Sequence, residues 1–189
     1  MHELEPFYNW ESAYRASDDK RSPFFGVEND PYQYSHDIYG YYIHPSWDFI
    51  GSETLYVKLL YTQYEKQFAV IELFGEWNDT LHNDVMHLKR NVVDHMVAQG
   101  IRHFILLGEN ILNFHGSNDC YYEEWFEDVE EGWVAMVNFR DFVLREMGRY
   151  GIDHYVHSGG DLDELDAWRT FSPMKLFERV HQIVRHRLS

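Results

Sequence analysis

Glu109, Asn113, His115 and Asp119 lie close together in the chain, and an imidazole flanked by carboxylates is the minimal set for moving a proton near neutral pH. They follow an apolar run at 103–107, and open α/β sheets place ligands beyond the carboxyl ends of their strands. The loop after strand 102–107 is therefore the expected place for a small molecule, a metal or acid-base chemistry, although loops of this composition are more often simply solvated. Twelve histidines also invite a metal site. His87, Asn91 and His95 share one helix face with Asp94 nearby, but the two histidines are two turns apart where ligation favours one, so this reads as a polar face. His154 and His157 fall at an odd separation on an expected strand, which sends them to opposite faces. Ser158-Gly159-Gly160 has the shape of an anion cradle, opposed by Asp161, Asp163 and Glu164. The phosphate-loop, dinucleotide and nucleophile-elbow motifs do not occur. No catalytic residue, metal or cofactor is assigned.

Charge narrows the partners. The chain of 189 residues carries 32 acidic against 16 basic side chains, a formal net charge of -16 that repels phosphate backbones and anionic lipid. Nucleic acid and membrane are accordingly not expected partners. Cys120 is the only cysteine, which rules out an intrachain disulfide and a cysteine-based zinc site. The start lacks a basic-then-apolar leader and no apolar run is long enough to span a bilayer, so a cytoplasmic protein is expected. Aromatic residues reach 17%, enough to supply amphipathic rings to a contact surface.

These residues must be positioned by regular elements, which begin only after an arm at 1–52. Pro6, Pro23, Pro31 and Pro45 punctuate that arm, and residues 31–45 hold five tyrosines, too aromatic for a disordered tail. An ordered arm is expected, lying over its own domain or over a partner subunit. A core at 53–160 follows. Runs at 54–64 and 67–74 separated by Glu65-Lys66 predict an antiparallel hairpin, its second strand inner because it is almost continuously apolar. Leu81, Val85, Leu88, Val92 and Met96 form the core stripe of a helix over 80–99, with Asn78 or Asp79 as cap and Gly100 at its end. A buried strand over 101–107 completes a βαβ unit with a right-handed crossover.

Residues 109–131 carry eight acidic residues, no lysine or arginine, and the interleaved Tyr121, Tyr122, Trp125 and Phe126. They predict an insertion or long loop. An apolar helix over 132–147 and a third parallel strand over 152–157 are expected next. Over 161–189 an acidic loop leads to a helix begun by Ser172-Pro173, with the stripe Met174, Phe177, Val180 and Val184 and the basic residues Lys175, Arg179, Arg185 and Arg187. The fold class is α/β, with a mixed, mostly parallel sheet of four or five strands beginning in an antiparallel hairpin and covered by helices.

A hairpin whose second strand ends in Leu73-Phe74-Gly75-Glu76, then helix, strand, helix, strand, resembles the STAS family of anti-sigma-factor-antagonist-like domains. The run Phe104 to Phe114 and the Tyr150-Gly151 ahead of an apolar stretch fit the same layout. The resemblance implies a small α/β domain that works by binding another protein. Regulatory members carry an Asp-Ser-Ser/Thr-Gly element whose serine is phosphorylated. Here Ser117 is the nearest positional match, without the preceding Asp, and its carboxylate neighbours would repel a phosphate. The expected function is a non-catalytic regulatory or interaction domain whose partner is another protein or, as a homodimer, itself. Tyr121, Tyr122, Trp125 and Phe126 with the arm are the expected contact surface. The alternative is a ligand-binding protein or enzyme using Glu109, His115 and Asp119.

Overall fold

The computed structural model describes residues 2–188. In chain order, the arm supplies β1 (His2–Leu4), β2 (Ser35–Ile38) and β3 (Tyr41–Ile43), in which β3 lies parallel to β1 and antiparallel to β2. A short β4 (Asp48–Phe49) pairs with β5 (Leu55–Gln63), which turns back into β6 (Phe68–Asn78). The first crossover contains α1 (Asp84–Leu88), a π-helical turn at Lys89–Val93 and α2 (Asp94–Ala98). Then follow β7 (His103–His115), α3 (Cys120–Asp128), β8 (Trp133–Val137), α4 (Asp141–Arg149) and, after three short 3₁₀ turns, α5 (Pro173–Leu188).

β4 to β8 form one mixed sheet in sequential order, antiparallel from β4 to β6 and parallel from β6 to β8. Alternation along the strands divides the core between its two faces. Ala69, Ile71, Leu73, Phe104, Leu106, Val134 and Met136 meet the four shorter helices and the π turn, which contribute Val85, Leu88, Val92, Met96, Trp125 and Val143. Phe68, Val70, Ile105, Leu107, Ala135 and Val137 meet α5 through Leu176, Phe177, Val180 and Val184. On that second face the arm closes a smaller cluster, with Ile38, Ile43 and Trp47 against Tyr56 and Phe74. The arm therefore packs on its own chain.

The hairpin, inner β6, the C-terminal helix and the glycine stop at Gly100 stand as expected from the sequence. Gly100 takes a φ of +93°, and the Gly100 and Ile101 amides donate to the carbonyls of Val97 and Met96, closing the helix. At α5 the Lys175 amide donates to Ser172 Oγ at 3.2 Å, the cap that Ser172-Pro173 announces.

Three expectations are corrected. First, the crossover helix begins at Asp84, not at residue 80, and Leu81 is exposed. Asn78 Oδ1 instead takes the Leu81 amide and Asp79 Oδ1 the Val85 amide, so both candidate caps act before or at the first turn. Second, residues 132–147 are not one helix: five residues form β8, buried throughout, and Asn138 at φ +55° turns the chain toward α4. A short run that is apolar on every side fits a fully buried strand and a buried helix equally, because periodicity alone does not separate them. Third, β8 takes the sheet position expected of 152–157, which folds as a 3₁₀ turn at Ile152–His154. Its backbone reaches the sheet at His157, which bonds Val134 and Met136 as an isolated bridge. His154 and His157 therefore share no strand.

Candidate functional site

β7 is long because β6 beside it is long. Gly75 does not stop β6: its φ of +115° and the 2.1 Å that would separate a Cβ from the Thr54 carbonyl oxygen show a glycine required by close backbone approach. Past it, Glu76, Trp77 and Asn78 pair with Asn113, Phe114 and His115. Glu109, Asn113 and His115 are consequently strand residues, not loop residues, spread along a strand whose pairing with β6 shifts register twice.

His115 and Asn113 do meet. Asn113 Nδ2 is 3.1 Å from His115 Nε2, and the same nitrogen is 3.2 Å from Glu76 Oε1. Asn78 Nδ2 donates to Glu76 Oε1 at 2.8 Å. The Tyr39 hydroxyl from the arm donates to Glu76 Oε2, and its bond to that carboxylate pushes the phenol pKa up. The result is a half-exposed cluster of imidazole, carboxylate, two amides and a phenol.

Glu109 is elsewhere. It accepts from Trp168 Nε1 at 2.5 Å, Arg169 Nη1 at 2.7 Å and Asn138 Nδ2 at 3.0 Å, so it fastens the segment ahead of α5 to the sheet. Asp119 is the N-cap residue of α3 and accepts from Tyr155 OH at 3.2 Å. The expected acid-base set of Glu109, His115 and Asp119 is thus split among three places. Ser117 is exposed between β7 and α3, outside the helix.

Residues 109–131, expected as a loop, contain the second half of β7 and the nine residues of α3. α3 turns Tyr122 and Trp125 into the core, where each is 1% exposed, Tyr122 against Trp77 and Trp125 against Phe104. Helical spacing of three places them on one apolar face, so neither can serve a contact surface. Tyr121 is half-buried beneath Arg90, and Phe126 is exposed beside Tyr155.

The buried charges include groups the sequence reading passed over. Lys89 has no accessible side-chain surface, and its ammonium is held by Asp94, by Asp128 at 2.6 Å and by Glu124 at 3.5 Å. Asp94, Glu124 and Asp128 would otherwise suit a cation, and the lysine supplies it. Asp79 accepts from Tyr122 OH at 2.6 Å and Trp77 Nε1 at 3.0 Å, and burial pushes its carboxyl up to about 6. Glu72, the lone charge in the apolar run of β6, is pushed up to about 7 by burial. It accepts the Phe7 amide of the arm at 2.7 Å. A single acid inside such a run was the one visible signal for this group.

At the Ser158-Gly159-Gly160 turn, Arg187 of α5 donates to the Ser158 carbonyl at 2.9 Å and to that of Gly159, tying the turn to the last helix. The face bearing His87, Asn91 and His95 packs on the arm: Asn91 donates to the Ile50 carbonyl at 2.7 Å, and His95 Nε2 lies 2.9 Å from that of Arg21. No described helix is long and apolar enough to cross a membrane.

The most exposed aromatic surface lies on the arm and β4. Tyr34 is 42% exposed, Tyr42 41% and Phe49 61%. Tyr34 stacks edge-on with Tyr42 at 6.3 Å and with His44 at 5.6 Å, while Phe49 is 6.2 Å from Tyr56. His44, Phe49 and Tyr56 line a groove of about 450 Å³ whose rim carries Glu28 and Asp30.

The sequence matches no family model and no curated protein. Among solved structures, the chain is similar to the anti-sigma factor antagonist SpoIIAA in its unphosphorylated form, at 17% identity and a TM-score of 0.45, over 61% of this chain and 98% of that one. It is also similar to the Bacillus cell fate determinant SpoIIAA in the phosphorylated form, at 16% identity and a TM-score of 0.40, over 59% and 97%. The architecture itself is a mixed α/β sheet built as antiparallel hairpin, helix, parallel strand, helix, parallel strand.

Proposed function

We propose that this chain is a non-catalytic interaction domain that recognises a protein, a second copy of itself included, through the aromatic face of its arm. The exposed pair Tyr34 and Tyr42, with Phe49 exposed on β4, is the observation that carries this reading. Exposed rings supply contact area on a protein surface, and Tyr in particular anchors interfaces at low entropic cost. Phe126 and Tyr121 on α3 are carried as a second, smaller contact. The reading assigns no phosphoserine switch at Ser117.

Sedimentation equilibrium with purified protein tests it. The expected result is self-association that the triple variant Tyr34→Ser, Tyr42→Ser, Phe49→Ser abolishes while its circular dichroism is unchanged. A triple variant that associates as the native chain does, with itself and with any protein that co-purifies, would overturn the assignment.

A further inference from the structure

A cavity of about 530 Å³ opens between the arm and the outer edge of β5, within the range of small-molecule sites. β4 pairs only with Tyr56 and Val57, so from Lys58 onward no described strand flanks β5 on that side. Leu59 belongs to the core under the shorter helices and Leu60 to the core under α5, yet both line the cavity. The space therefore straddles the strand edge, walled by Trp10, Tyr14 and Phe24 from the arm.

Asp48 is the buried charge of this cavity. It lines the cavity, is 3% exposed, and has one close donor, Asn29 Nδ2 at 3.0 Å from Oδ1. Lys58 Nζ stands 3.5 Å from Oδ2, longer than a good charged hydrogen bond. A carboxylate has about four lone-pair directions, and burying it underserved is unfavourable. Lys58, Arg15 and Glu11 also line the cavity, and Arg15 stands 3.8 Å from Glu11, which leaves guanidinium N–H groups for a ligand. A simple cation would compete with Lys58 for Asp48, and a simple anion would face Asp48 itself. A zwitterion satisfies both, with its ammonium on Asp48 and its carboxylate on Lys58 and Arg15.

We propose that this cavity binds a free α-amino acid with a large apolar side chain, the side chain lying against Trp10, Tyr14 and Phe24. This does not depend on the interaction surface proposed above.

Isothermal titration of the whole chain with phenylalanine, leucine and methionine, against glycine and aspartate, is the test. Binding of the apolar set is expected, weakened at least about tenfold for N-acetyl-phenylalanine, which lacks the cation, and for phenethylamine, which lacks the carboxylate. Lys58→Met should lower affinity for phenylalanine and raise that for phenethylamine, whose ammonium no longer competes with a lysine for Asp48. Ser17→Trp, directed into the cavity, should abolish binding in a folded protein. If that variant does not fold, the Lys58→Met comparison decides alone. No heat and no melting shift with any apolar amino acid at millimolar concentration would overturn the proposal. Equal affinity for the N-acetyl compound would overturn it as well.

Discussion

The Lys89 ammonium lies 2.6 Å from the Asp128 carboxylate, 39 residues further along the chain, and the lysine side chain has no accessible surface. The contact joins the π turn of the first crossover to the end of α3, and Asp94 and Glu124 complete the anionic cage. The cage carboxylates are each about a third exposed, so water remains on their outer side.

Removing the cation while leaving the carboxylates should be costly. Lys89→Ala is expected to lower stability by about 2–3 kcal/mol, the lower part of the range for a broken buried pair because the carboxylates can rehydrate. Glu124→Gln, whose partner Arg90 is exposed, should cost under about 1 kcal/mol. Urea midpoints of the two variants measure the contrast, and equal losses would contradict the burial argument.

Glu72 predicts the pH dependence. Its folded pKa of about 7 lies above the ordinary carboxylate value, so between roughly pH 4.5 and pH 7 the native state holds a proton that the unfolded state has lost. The stability from this group is complete below that window and declines as pH rises through it. Asp79, at about 6, acts with the same sign. Glu72→Gln, which keeps an acceptor for the Phe7 amide, should flatten the decline by roughly 1–3 kcal/mol. Denaturation at pH 5 and pH 7.5 reads it directly, and parallel profiles would refute the shift.

On α3, neighbouring aromatics should behave oppositely. Trp125→Ala empties a buried site and is expected to cost about 3–5 kcal/mol, whereas exposed Phe126→Ser should stay within about 0.5–1 kcal/mol. Tyr122→Phe, which orphans one Asp79 oxygen, should fall between them at about 1–3 kcal/mol. Thermal melts of the three variants give the order, and a reversal would move α3 off the sheet.

Gly75→Ala should destabilise by about 2 kcal/mol or more, since the new Cβ meets the Thr54 carbonyl at 2.1 Å in a backbone conformation other residues avoid. Gly100→Ala, equally positive in φ but with open space around it, should cost about 1 kcal/mol. A smaller loss at Gly75 than at Gly100 in calorimetry would disprove the close approach.

The candidate site was less legible than the fold. His115 and Asn113 are neighbours because a strand brings residues two apart to one face, which their spacing states. Their partners Glu76 and Tyr39 come from a paired strand and from the arm, at separations no local pattern encodes. Glu109 looked equally free but is consumed by Trp168 and Arg169, which lie about sixty positions away.

What the amino-acid sequence by itself determined is local: the hairpin at Glu65-Lys66, the apolar β6, the stripe from Val85 to Met96, the stop at Gly100 and the capped start of α5. Each follows from periodicity or from a residue with one conformational use. Tertiary structure alone decided that 133–137 is a strand, because only the empty place beside β7 makes extended backbone the one that bonds every amide. It also decided which aromatics are surface. Tyr122 and Trp125 read as contact residues until α3 laid them on the sheet, while Tyr34 and Tyr42 of the arm stayed exposed as Ile38 and Ile43 of its small sheet turned inward onto Tyr56 and Phe74.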